Sequence, residues 1–160
     1  MTNNKANYPA MIQIINIIHG ALIIFPVAFA GVAVYINETA PMASENMSFL
    51  SYVSIGVLII AFPLSSILFK STIRNSSEAQ KELPQKIAAY QTAHLIRMAA
   101  FEGCGFIAGV AVLQTGNYYN LGVLAVVLAM FIVHRPTPTK IAIDLELNID
   151  EKNQLMGATP

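Results

Sequence analysis

Charge is scarce in this sequence, and much of its reading follows from that. Lys, Arg, Asp and Glu together make up 11% of 160 residues, where soluble domains carry roughly 25%, so the chain lacks the polar surface to cover itself in water. A formal net charge of zero offers no basic footprint for a nucleic acid, whose binding relies on released counterions. A single cysteine excludes an internal disulfide and any cysteine-built metal site. No Ser/His/Asp array, phosphate loop or H-E-x-x-H is present, so no catalytic residue is expected and the chain does not read as an enzyme. What abounds is apolar: 55% of residues are hydrophobic and the mean hydropathy is +0.57. Disorder is excluded, and the composition reads as an integral membrane protein whose first partner is the lipid bilayer.

A bilayer core about 30 Å thick needs roughly 20 apolar residues in a helix. Four helices are predicted, over 11–36, 49–71, 85–114 and 118–135, forming a membrane domain 1–135 followed by a short tail, 136–160. Residues 11–36 and 49–69 contain no Lys, Arg, Asp or Glu. Small residues around Ala28 and Ala30 would suit a signal-peptide cleavage site, but the first stretch is long and only Lys5 precedes it, so it is kept as a span. Basic residues fall at Lys5, between Lys70 and Arg97, and from Arg135 onward, while the other two loops have none. This positive-inside pattern puts both termini in the cytoplasm. All six tyrosines lie near predicted helix ends, where amphipathic rings prefer to sit.

Ala30-Gly31-Val32-Ala33-Val34 recurs as Ala108-Gly109-Val110-Ala111-Val112 at an offset of 78, and Gln13 falls on Gln91 in the same register. Gly56-Val57-Leu58 matches Gly122-Val123-Leu124 at an offset of 66. The expected fold is therefore an all-α membrane protein, a four-transmembrane-helix bundle from two tandem helical hairpins, 11–71 and 85–135. Two spans per unit make the repeat parallel, which weakens a transporter reading without removing it.

Glu102 is the outstanding residue, a carboxyl eight positions into the third helix from His94 and costly to place in hydrocarbon. It shares a helical stripe with Gly105 and Gly109, a G-x-x-x-G that lets another backbone approach. Gly31, at the repeat position of Gly109, is expected to pack likewise. Arg97 lies about 140° around the helix from Glu102 and is read as snorkelling to the interface. The partner for Glu102 is sought on other helices, at Ser65 or Ser66 or at carbonyls freed by Pro26 and Pro63. Two readings stand: a protonated carboxyl that fixes packing, or a proton- or cation-binding site. His19, His94 and His134 sit on the cytoplasmic half of three helices, an arrangement that holds haem in some bundles. The simpler reading is interfacial histidines, and no cofactor or metal is expected. In the tail, Thr139 is expected to cap one short helix and Asn148 with Glu151 to open another through a capping box.

Arg97-Met-Ala-Ala-Phe-Glu102-Gly-Cys-Gly, Thr115-Gly-Asn and Pro136-Thr-Pro-Thr-Lys140 resemble a group of small, uncharacterised four-span bacterial inner-membrane proteins. That resemblance covers about the second half and implies a multi-pass protein of the bacterial inner (plasma) membrane. The two-hairpin build and Glu102 followed by small residues are also similar to the double-hairpin proteolipid subunits of rotary ATPases, which implies ion binding at Glu102 and assembly into a ring. Against this, Glu102 lies on the first helix of its hairpin, the glycine-repeat helix is missing and the termini face the other side. The expectation is a non-enzymatic bundle, a homo-oligomer or subunit of a membrane complex through the glycine face of its third helix, with proton- or cation-coupled transport as the alternative and haem-based electron transfer behind both.

Overall fold

The computed structural model describes residues 8–40, 48–78 and 82–157. Six helices follow one another: α1 (Tyr8–Thr39), α2 (Ser48–Glu78), α3 (Leu83–Thr115), α4 (Asn120–Val133), α5 (Pro138–Asp144) and α6 (Ile149–Leu155), with no strand among the described residues. α1, α2 and α3 are long and apolar enough to cross a membrane; α4 passes the same test only together with α5, from which it is bent by 85°. At 14 residues, α4 spans about 21 Å, shorter than the 118–135 helix predicted. Pro136 cannot continue it, and its terminal carbonyls find other donors: His134 Nδ1 to Met130 at 2.8 Å and Lys140 Nζ to Val133 at 3.0 Å.

Of the two hairpins expected, α3 and α4 pack together, whereas α1 and α2 do so hardly at all. α3 is the hub, touching α1, α2 and α4 extensively. Burial follows: half of the apolar window of α3 is buried, against 22% in α1 and 17% in α2. The exposed sides of α1 and α2 carry Ile24, Phe25, Val32, Ile55, Ile59 and Ile60. An apolar surface of that extent is stable against lipid tails, not water.

The core has two parts. Met98, Phe101 and Cys104 of α3 meet Val127 and Phe131 of α4 in the middle of the bundle. At the end that carries the tail, Ile12 and Ile15 of α1, Phe69 and Ile73 of α2, and Ile87 and Tyr90 of α3 close around Ile141, Leu145 and Leu155 from α5 and α6. The tail is thus part of the core. Thr137, not Thr139, caps α5, accepting from the Lys140 amide with Pro138 in the first turn, where proline's missing N–H costs nothing. Asn148 and Glu151 form the full capping box of α6.

α1 and α3 run parallel, side by side. Two small residues let them close: a methyl group on Gly105 would stand 2.9 Å from Pro26 Cβ, and one on Gly109 would stand 2.5 Å from the Phe29 ring. The glycine face of α3 is therefore occupied within the chain. Gly31 has nothing within 4 Å and is exposed, because the face of α1 that meets α3 runs through Pro26, Ala30 and Ala33 instead; it is not a packing contact here.

Candidate functional site

The buried face of α3 at the tail end reads Ile87, Tyr90, His94, Arg97, Phe101, a spacing of three and four that sets polar groups between apolar ones along one stripe. His94 Nε2 lies 3.2 Å from His19 Nδ1 of α1, both rings being buried. Tyr90 stacks on His94 at a centroid distance of 5.9 Å and meets Phe69 edge-on at 5.6 Å. One turn beyond His94, Arg97 is only 6% exposed. Its guanidinium carbon stands 3.4 Å from the centre of the Phe69 ring, a cation–π contact that offsets part of the cost of burial.

Phe69, Arg97 and the tail also wall a cavity of about 760 Å³ between α2, α3 and the end of α5. Lys70 and Arg74 line it from α2, and Asp144 and Glu146 from the tail. Two atoms of these residues are buried without a hydrogen-bond partner, Arg97 Nε and Asp144 Oδ2. Such orphans are uncommon in native interiors. Glu146 is in the left-handed region at φ 50°. Its N–H donates to Ile143 and that of Leu147 to Ala142, so α5 ends in a Schellman motif with a glutamate at the position usually held by glycine.

Glu102 is half-buried on α3 beside an outward stripe of Ala99, Gly103 and Phe106. No hydrogen bond joins it to Ser65 or Ser66. The buried Ser65 hydroxyl donates to the Phe62 carbonyl of its own helix at 2.9 Å, and Ser66 is half-buried. His134 is held by Met130 and lies 5.6 Å from the Phe101 ring. His19 and His94 touch each other directly, whereas two axial ligands stand on opposite faces of one haem; as placed, the pair does not bracket a porphyrin. No group of three or more His, Cys, Asp or Glu among the described residues is placed to hold a metal ion.

The sequence reading missed Arg97 and Asp144. Arg97 does not snorkel into water: it is buried, with its guanidinium against the ring of Phe69 and the end of α5 across the cavity. Its spacing from Tyr90, His94 and Phe101 was the available signal, since it falls on their face of the helix and not on the lipid stripe.

Comparison with known proteins finds no significant match to any family model, curated sequence or solved structure. What the fold defines is a class: an all-helical protein with three, or with the bent pair four, apolar helices of membrane-crossing length.

Proposed function

We propose that this chain is a non-enzymatic integral membrane protein, a structural bundle of four spans whose tail-bearing end faces the cytoplasm. The observation that carries this reading is how the buried polar groups are used. His94 meets His19, Asn37 Nδ2 donates to the Val112 carbonyl at 2.8 Å, and Asn120 bonds Ser51 and Ser54, each at 3.0 Å. Each joins one helix to another, the role polar residues commonly play between helices in lipid. The orientation rests on Lys70, Arg74, Lys86, Arg135 and Lys140 gathering at one end, and a bacterial inner membrane rests on the motif resemblance alone. Because α1 occupies the glycine face of α3, a second copy or partner subunit would dock on the exposed Ile and Phe side of α1 or α2.

The second reading, proton- or cation-coupled transport, is favoured by one feature: Glu102 stands about 20 Å along α3 from Thr115, within hydrocarbon depth, with no ion pair among the described residues. Dicyclohexylcarbodiimide labelling of native membranes across pH separates the two. Under the structural reading, labelling is weak and Glu102→Gln changes stability alone; strong, pH-dependent labelling with loss of a proton or sodium response in Glu102→Gln would establish the transport reading instead.

A further inference from the structure

The cavity between α2, α3 and the tail has walls of opposite sign. Lys70, Arg74 and Arg97 line one side; Asp144 and Glu146 line the other. Within the cavity wall, Arg97 Nε is a buried donor and Asp144 Oδ2 a buried acceptor, and neither has a hydrogen bond among the described residues. Arg97 is more than nine-tenths buried, so its unspent N–H is not compensated by bulk water, and leaving it so is costly. Lys140 and Arg97 are near enough to act on the charge of Asp144, but an anion alone would leave its Oδ2 still without a donor. A ligand with a phosphate and, a few ångströms away, a group bearing N–H donors would satisfy both walls.

Depth says where such a ligand comes from. Arg97 lies 18 residues from Thr115, about 27 Å along the helix, and Lys70 lies 22 residues from Ser48, about 33 Å. Measured from the far end of the bundle, both fall where about 30 Å of hydrocarbon gives way to headgroups. At that level α5 turns away from α4 by 85° and so lies across the bundle end, with Ile143 at the cavity rim and 69% exposed. An exposed isoleucine at that level is within reach of acyl chains. The cavity volume of about 760 Å³ is that of a small-molecule site.

We propose that this cavity holds the headgroup of an amine-bearing phospholipid of the phosphoethanolamine type, its phosphate on Arg97 and Lys70 and its ammonium on Asp144. The inference rests on the membrane reading above. Lipid and soluble sources share the chemistry of a phosphate with a nearby ammonium. The acyl chains are what the exposed Ile143 adds.

The test uses the full chain purified in detergent, with native mass spectrometry of bound dioleoyl phosphatidylethanolamine, phosphatidylcholine and phosphatidylglycerol, and with soluble glycerophosphoethanolamine as a separate arm. Choline keeps the positive charge but has no N–H. The ethanolamine lipid is expected to be retained about tenfold over the choline lipid, the worth of one hydrogen bond to a charged group. Asp144→Asn should erase that preference, and the exposed Lys70→Gln, which disturbs no core contact, should weaken both lipids. Equal retention of the two lipids, a preference for phosphatidylglycerol untouched by Asp144→Asn, or glycerophosphoethanolamine binding as tightly as the lipid would each overturn the proposal. Flotation with liposomes checks the underlying reading separately: a chain that stays in the aqueous fraction removes the membrane assignment, whatever the cavity binds.

Discussion

His19 and His94 meet at a sequence separation of 75, and the same separation joins Asn37 to Val112 near the other end of the same two helices. The repeat offset is 78, and contacts between the duplicated helices fall on either side of it, from 75 at His19–His94 to 80 at Phe29–Gly109, so the two helices lie in parallel and close to register. Equivalent positions of the two copies sit at nearly equal depth. This is why a histidine in the first copy and an arginine in the second, His19 and Arg97, belong to one polar layer.

The histidine pair predicts strong non-additivity. Removing one ring strands the nitrogen of the other, and His19→Phe or His94→Phe alone is expected to cost about 1–3 kcal/mol. The double variant replaces both partners by apolar rings and should cost clearly less than the sum. Thermal unfolding of the four proteins in detergent gives the cycle; strict additivity would mean that the two imidazoles do not interact.

Glycine substitutions separate the two copies of the A-G-V-A-V segment. Gly109→Ala drives a methyl into the Phe29 ring and Gly105→Ala drives one into Pro26, so each is expected to destabilise by about 1–3 kcal/mol, the usual cost of overpacking. Gly31→Ala meets nothing and gains helix propensity of up to about 1 kcal/mol. Melting temperatures should therefore fall for the first two and hold or rise for the third.

Acid should loosen the tail. Burial raises the Glu151 carboxyl, but hydrogen bonds from Lys86 and from the Asn148 backbone, with the charge of Lys86, outweigh it and hold the group below its ordinary 4.5. A depressed folded value means that the stabilisation is complete above about pH 4.5 and is lost as pH falls through the folded value. The pair joins Lys86 Nζ to Glu151 Oε1 at 2.6 Å, and surface geometry limits it to about 1 kcal/mol or less. Protection factors of the α6 amides, with the intrinsic slowing of exchange in acid divided out, should fall on acidification in the native chain and lose that pH dependence in Glu151→Gln.

Glu146 occupies a left-handed position that disfavours a side chain by about 1 kcal/mol. Glu146→Gly should raise the melting temperature, while Glu146→Val should lower it. If both variants melt alike, the backbone there is not under the strain its φ of 50° implies.

Helix existence was legible because composition and hydropathy act locally: a 20-residue apolar run has few other options in lipid. The Asn148 and Glu151 capping box was legible for the same reason, since both partners lie within one turn. Packing order was not. The repeat pointed to two hairpins, yet α1 and α2 each pack on α3 and barely on each other, with Pro26 and Phe29 of α1 seated at Gly105 and Gly109. Arg97 shows the same limit: whether a long cation reaches water depends on what surrounds it, and its surroundings, Phe69 of α2 and a tail helix some forty residues downstream, are distant in sequence.

The last helices in chain order, α5 and α6, supply Ile141, Leu145 and Leu155 to a cluster that also needs Ile12 and Phe69. During translation the near ends of α1 and α2 can therefore meet α3 but stay greasy and open on the tail side until the segments beyond the fourth helix have left the ribosome. A product that stopped short of Ile141 would leave that seam open.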